Sequence, residues 1–144
     1  NGHEWSVKFG PLVKGELTNT DLLHETMQSY AIEGVIHLAA LASVSESVSH
    51  PELYYKNNVE GSQSLIEAMK RSGIENIVFS GSCAVYGIPA AVPIPESEPL
   101  KPISPYGDTK RLTEQALVES GLRYASLRYF NAAGADPEGE LGED

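Results

Sequence analysis

The 144-residue sequence contains a single cysteine, Cys83, and only ten basic side chains against twenty acidic ones. One cysteine excludes an internal disulfide bond and is typical of a protein of the reducing cytosol. The net charge of -10 argues against a nucleic-acid surface, because such surfaces are basic. No apolar stretch approaches the ~20 residues of a membrane-spanning helix. We therefore expect a cytoplasmic protein that binds neither nucleic acid nor a membrane.

Two further patterns are missing. The four histidines show no metal-ligand spacing, so we predict no metal site; they are His3, His24, His37 and His50. The sequence also lacks a G-x-x-G-x-x-G or G-x-G-x-x-G turn, with which a complete dinucleotide-binding fold opens. A hydrophobic content of 41% and a charged content of 21% are nevertheless ordinary for a globular domain with one core.

Strand and helix patterns alternate along the chain, which predicts βαβ units, a parallel sheet and the α/β fold class. The predicted strands are residues 11–14, 35–39, 77–80 and 123–130. The predicted helices are residues 20–30, 51–72 and 106–120. Glycines follow the last two helices, and a proline-rich loop precedes the third helix. The acidic end of the sequence, "GADPEGELGED", has no periodicity and is predicted to be a loop.

Tyr106, Lys110 and Ser82 form the most informative pattern. Tyr106 and Lys110 in "SPYGDTKRL" are four residues apart on a predicted helix, so their side chains share one face. A free phenol has a pKa of about 10. A fixed ammonium at about 4 Å stabilises a phenolate by roughly 4 kcal/mol at an effective dielectric near 20. Ser82 ends the buried strand "ENIVFSGS", where open α/β sheets bind ligands, and can relay a proton.

The Y-x-x-x-K spacing alone occurs by chance on many exposed helix faces, so its neighbours decide its meaning. The order of "SGSCAVYG", the proline-rich loop and "SPYGDTK" resembles the extended short-chain dehydrogenase/reductase family, and within it the UDP-hexose 4-epimerases. This resemblance implies a partial Rossmann-like, doubly wound parallel sheet of order 3-2-1-4-5-6. Residues 1–144 would be the central part of an NAD-binding domain, without its first βαβ unit and without the C-terminal substrate domain.

The resemblance also implies an activity. The full-length protein is expected to bind NAD and to interconvert UDP-glucose and UDP-galactose through a 4-keto intermediate, whereas the 144 residues alone are expected to be inactive. Tyr106 would be the acid/base, Lys110 would hold the nicotinamide ribose and stabilise the phenolate, and Ser82 would bridge to the sugar hydroxyl. Homodimers through the helices at 51–72 and 106–120 are expected.

Further site residues follow from the same resemblance. The cofactor-binding set is Glu16, Leu17, Leu38, Ala39, Ala40, Asn58, Ser80, Tyr106, Lys110 and Tyr129. The substrate-binding set is Ser82, Tyr106 and Asn131. The sequence departs from the family at Ala42, where many 4-epimerases carry a lysine that contacts the cofactor phosphates.

Other interpretations stay open at this point. A 4,6-dehydratase needs two carboxyl groups after the active-site hydroxyl, whereas Cys83 and Ala84 follow Ser82. An epimerase-reductase shares the Ser-Cys pair but has a shorter spacing to its tyrosine. A non-catalytic nucleotide-binding member of the family usually lacks the tyrosine or the lysine. Cys83 is interpreted as a small packing residue, and His37 as a core histidine.

Overall fold

The computed structural model describes residues 4, 7 and 9–139, and in it three parallel strands form one sheet. The strands are β1 (Gly34–His37), β2 (Asn76–Ser82) and β3 (Arg123–Tyr129), in the order β1-β2-β3. His37 of β1 lies beside Phe79 of β2, and Ser82 of β2 lies beside Tyr129 of β3. The carboxyl ends of the strands therefore meet along one edge, as the α/β prediction requires.

Helical segments connect the strands. They are α1 (Thr20–Ser29), α2 (Val44–Ser49), α3 (Pro51–Tyr54), a π-helix (Tyr55–Glu60), α4 (Gly61–Ser72), a 3₁₀-helix (Cys83–Tyr86) and α5 (Pro105–Ser120). Asn19 caps α1, since its side chain accepts from the backbone N–H of Leu22 at 3.1 Å. Gly73 and Gly121 adopt positive φ angles and end α4 and α5.

The core lies on one face of the sheet. Side chains from α1, α4 and α5 pack there against Ile77 and Phe79 of β2; the buried members are Met27, Leu65, Ile66, Ala68, Met69, Ile74, Ile77, Phe79 and Leu117. Because side chains alternate along a strand, the intervening residues face the other way. Ile36 on that opposite face is 71% exposed, and Leu127 is also exposed. Within residues 9–139, no helix has the length and apolar character that a membrane crossing requires.

The structure corrects several predicted boundaries. The segment 11–14 is not a strand, because no neighbouring strand in the described residues supplies it with hydrogen-bond partners. β1 ends at His37 rather than at residue 39, whereas β2 continues to Ser82. The predicted helix 51–72 contains a π-helical segment, and the sequence analysis missed α2 and the 3₁₀-helix.

We predict that the 144-residue chain alone does not form a stable monomer. Large apolar side chains, including Ile36, Leu38 and Leu127, are exposed at β1 and on the opposite face of the sheet, and an exposed apolar edge strand favours association. Sedimentation and thermal melting of the purified chain should show oligomers and no cooperative transition. A monomer with a sharp melting transition would contradict this prediction.

Candidate active site

The carboxyl end of β2 places a serine hydroxyl at the edge of the sheet. Ser82 has extended backbone angles, and its hydroxyl oxygen accepts a hydrogen bond from the backbone N–H of Ala84 at 3.2 Å. That bond caps the 3₁₀-helix that follows, and it uses one lone pair of the oxygen. The hydroxyl hydrogen and a second lone pair remain available for a ligand.

The start of α5 is held against this turn. Ser104 caps the helix by accepting from the N–H of Gly107 at 3.1 Å, and Pro105 occupies the first turn. A Cβ atom at Gly107 would lie only 2.6 Å from the carbonyl oxygen of Ala84. Glycine therefore permits a close approach of the two backbones, which brings the segment with Tyr106 next to the turn that follows Ser82.

Lys110 is a buried cation, and it lies one helical turn beyond Tyr106. Its side chain is 4% exposed, and its Nζ atom donates to the carbonyl oxygen of Ser80 at 2.8 Å. The same atom lies 4.9 Å from the ring centre of Phe79 and 5.8 Å from that of Tyr106. Burial lowers the pKa of Lys110 to about 8. The ammonium thus persists at neutral pH in a site where charge is weakly screened.

His37 stays neutral beside this cation. Burial, and secondly the charge of Lys110, lower the pKa of His37 to about 4. The Nε2 atom of His37 lies 2.9 Å from the hydroxyl of Ser62, which itself donates to the carbonyl oxygen of Asn58. Since the one hydroxyl hydrogen of Ser62 is used there, Nε2 must donate to Ser62. His37 is therefore a buried, hydrogen-bonded core residue, as the sequence indicated.

A polar cleft of about 380 Å³ lies beside the carboxyl end of β1. All five residues that the sequence analysis assigned to the cofactor in this region line it, namely Glu16, Leu17, Leu38, Ala39 and Ala40. Gly15, Leu41 and Asn57 complete the lining. Small side chains at positions 39 and 40 leave the backbone accessible to a ligand.

Asn58 is buried between the loop after β1 and α5. It is 2% exposed, and its amide makes a two-way bridge to the backbone of Leu41, accepting at 2.8 Å and donating at 3.0 Å. Its Nδ2 atom also lies 3.2 Å from the hydroxyl of Thr109 in α5. Asn58 thus joins the loop after β1 to α5, while its neighbour Asn57 lines the cleft.

The structure brings one set of predicted residues together at the carboxyl end of β2. Ser80 and Ser82 are in that strand, Lys110 bonds to Ser80, and Tyr129 pairs with Ser82 across the ladder. Asn131 follows two residues later in an exposed segment without regular structure. Sequence reasoning missed Asn57; the doubled asparagine in "KNNVEG" was the available signal, because only one of two adjacent residues in a helix can face the core.

We predict that His37 makes the protein less stable in acid. The native pKa of about 4 lies below the unfolded value of 6.5, so the unfolded state binds more protons between these values and stability falls as pH decreases. The full loss is roughly 3 kcal/mol, at about 1.36 kcal/mol per pKa unit. Melting temperatures of the full-length protein should fall less between pH 7 and 4.5 in His37→Gln than in the wild type.

His50→Gln is the matched control, because His50 is exposed and joins α2 to α3. The melting temperature of His50→Gln should fall by as much as that of the wild type over the same pH interval. Equal losses in all three proteins would show that His37 does not cause the acid sensitivity.

Comparisons with known proteins give the family. The sequence profile of the NAD dependent epimerase/dehydratase family matches residues 2–143. The UDP-glucose 4-epimerase of Rhizobium meliloti (strain 1021) is 47% identical over 147 aligned residues, which cover 99% of this chain and 45% of that protein. That of Azospirillum brasilense is 46% identical, with 92% of this chain and 39% of that protein covered.

Solved structures agree with the sequence comparisons. A crystal structure of UDP-glucose 4-epimerase from Brucella ovis in complex with NAD superposes with a TM-score of 0.96 at 50% identity, covering 99% of this chain and 45% of that one. The enzyme from Bifidobacterium longum, in complex with NAD+ and UDP, gives a TM-score of 0.89 at 35% identity, with coverages of 96% and 44%.

The chain thus spans less than half the length of the relatives that it matches. Over that span it has the partial Rossmann-like fold of the epimerase structures, and the predicted resemblance to the short-chain dehydrogenase/reductase epimerases is confirmed. The chain belongs to the NAD dependent epimerase/dehydratase family.

Proposed function

We propose that the full-length protein is an NAD-dependent UDP-hexose 4-epimerase that interconverts UDP-glucose and UDP-galactose. The observation that supports this most strongly is the buried ammonium of Lys110, held beside the ring of Tyr106 at the strand end that carries Ser82. The names of the relatives, UDP-glucose 4-epimerase in both Rhizobium meliloti and Azospirillum brasilense, agree with this assignment.

The described residues fit a dinucleotide. In the cleft beside β1, Glu16 offers a hydrogen-bond acceptor, and apolar or small residues form the walls. This lining suits a nucleoside. Asn57 adds an amide to the same cleft. Lys110 donates towards the carboxyl end of β2, where the ribose of a nicotinamide would place its hydroxyls. NAD, when bound, supplies a reversible two-electron acceptor for C4 of the sugar.

Tyr106 supplies the proton chemistry. As a phenolate it accepts the proton of the sugar 4-hydroxyl through Ser82, whose hydroxyl can donate and accept at once. Lys110 stabilises the phenolate because its ammonium is buried, lies over the same ring and is bonded to the carbonyl of Ser80 rather than to a carboxylate. When the 4-keto sugar is reduced on its other face, the same groups return the proton.

The turn after Ser82 favours epimerisation over dehydration. Elimination of water requires a carboxylic acid and a carboxylate next to the reacting hydroxyl. Cys83 and Ala84 occupy the corresponding positions and offer neither group. Tyr129 is the last residue of β3 and Asn131 follows two residues later in an exposed segment, where they can border the nicotinamide and the nucleotide sugar.

We also propose a cytoplasmic homodimer. Apolar side chains are exposed on the helices that the resemblance assigns to the interface, with Leu53 on α3 and Val118 on α5. Tyr55 donates to Asp108 at 2.8 Å and ties these helices together, so that they present one surface. The single cysteine suits the reducing cytosol.

The first test of the proposed function is Tyr106→Phe in the full-length protein. This change removes only the ionisable oxygen and keeps the ring, so NAD should stay bound while epimerase activity with UDP-galactose falls at least 10³-fold, on the order of the contribution of a general acid/base. Tyr30→Phe, at an exposed tyrosine after α1, should retain wild-type activity. Activity of Tyr106→Phe within tenfold of the wild type would exclude Tyr106 as the acid/base.

The second test is Lys110→Met, measured as a pH profile. Without its nearest cation, the phenolate form loses a stabilising charge, so the pH optimum of the reaction should move upward. The wild type should instead lose rate above a pH of about 8, where Lys110 itself loses its proton. Lys70→Met removes a lysine in the last turn of α4 and should leave the profile unchanged. An unshifted pH optimum in Lys110→Met would show that a group other than Lys110 stabilises the phenolate of Tyr106.

A further inference from the structure

An ion pair joins α5 to β3 directly behind the candidate active site. The guanidinium of Arg128 contacts both carboxylate oxygens of Glu114, with Nη2 at 2.7 Å from Oε2 and Nε at 3.0 Å from Oε1. Ser126 adds a hydrogen bond to Oε1 at 2.8 Å. Glu114 is 5% exposed, and its carboxylate raises the pKa of Arg128. The pair therefore has the forked geometry of the strong charge-assisted contacts.

The pair lies against the backbone that separates the two serines of the site. A Cβ atom at Gly81 would lie 2.8 Å from the hydroxyl of Ser126 and 3.3 Å from Oε1 of Glu114. Gly81 is thus covered by the carboxylate and its serine donor. On either side of it, the carbonyl of Ser80 accepts from Lys110, and Ser82 presents its hydroxyl. The carboxylate of Glu114 therefore links α5 to the strand segment that carries these two serines.

Glu114 lies on the same face of α5 as Tyr106 and Lys110. It follows Lys110 by four residues, as Lys110 follows Tyr106, so all three side chains leave one face of α5. Arg128 extends the contact on its other side, since Nη1 lies 2.7 Å from the hydroxyl of Tyr86. Tyr86 is buried and ends the 3₁₀-helix that begins immediately after Ser82.

We propose that Glu114 and Arg128 are positioning residues, whose ion pair holds α5 and the 3₁₀-helix in register at the carboxyl end of β2. Glu114 is buried and Arg128 half-buried, and such a pair is a weak source of net stability, because desolvation of the charges offsets their attraction. Its directional hydrogen bonds instead specify one arrangement of α5, β3 and the 3₁₀-helix. The inference rests on the proposed function, and it assigns neither residue a contact with the substrate.

Kinetics of the full-length protein test this assignment. Glu114→Gln keeps the shape of the side chain and removes its charge, and we expect kcat with UDP-galactose to fall at least tenfold while KM changes less than threefold. Arg128→Gln should lower kcat by a similar factor. Because the residues act as one unit, the double variant should be no slower than the slower single variant. Arg128→Lys keeps the charge but loses the fork, and should recover part of the rate.

The matched control is the ion pair of Arg123 with Glu75, at the opposite end of β3, whose side chains are largely exposed. Arg123→Lys and Glu75→Gln should leave kcat unchanged. If Glu114→Gln does not fold, Arg128→Gln replaces it in the comparison. Values of kcat within twofold of the wild type for folded Glu114→Gln or Arg128→Gln, or losses in the double variant that multiply, would overturn the proposal.

A second readout does not depend on turnover. Trace acetylation with acetic anhydride, read by peptide mass spectrometry, reports how well Lys110 is shielded relative to the exposed Lys70. We expect Lys110 to react at least tenfold more slowly than Lys70 in the wild type, and this ratio to narrow at least threefold in Glu114→Gln. If the wild type does not epimerise UDP-galactose, the proposed function fails, and the acetylation ratio alone then tests the positioning role. The same ratio in the wild type and in Glu114→Gln would contradict that role.

Discussion

A buried ammonium without a carboxylate partner is the constraint around which the described structure is organised. Lys110 is nearly inaccessible, and within residues 9–139 its ammonium donates a hydrogen bond only to the carbonyl of Ser80. Removing such a charge from water is costly unless polar and polarisable groups replace the solvent. Here a carbonyl and the faces of the Phe79 and Tyr106 rings do so, and His37 remains neutral. Because the ammonium of Lys110 has no carboxylate partner among the described residues, it can stabilise the phenolate of Tyr106, which is the role that we propose for it.

The surrounding elements hold that cation in place from several directions. Gly107 lets the start of α5 approach the turn after Ser82, and the Glu114–Arg128 pair fixes the helix one turn beyond Lys110. On the other flank, Asn58 bridges from the loop after β1 to α5. The π-helix at Tyr55–Glu60 aims Asn58 into the protein while Asn57 faces the cleft. Such π-segments are frequent at functional sites.

The sequence predicted the features that depend on local pattern and failed on those that depend on partners in space. Alternation of strands and helices predicted the parallel sheet, and the spacing of Tyr106 and Lys110 predicted a shared helix face. The segment 11–14 has the composition of a strand, but a strand exists only where a neighbour pairs with it. The doubled asparagine indicates that one of the two side chains faces inward, but nothing local shows which one, because a π-helical turn changes the residue that does so. Glu114 and Arg128 are fourteen positions apart on two different elements, and their pairing has no signature in the sequence.

The central claim is that Ser82, Tyr106 and Lys110 serve a reversible oxidation at C4 of a UDP-hexose. UDP-galactose that carries deuterium at C4 tests it most directly in the full-length protein, with the product analysed by mass spectrometry and NMR. The account predicts UDP-glucose that retains the deuterium at C4, because the abstracted hydrogen returns to the same carbon within one site and only the hydroxyl proton passes through Tyr106. Replacement of the deuterium by solvent hydrogen, or its appearance at another carbon, would contradict the account.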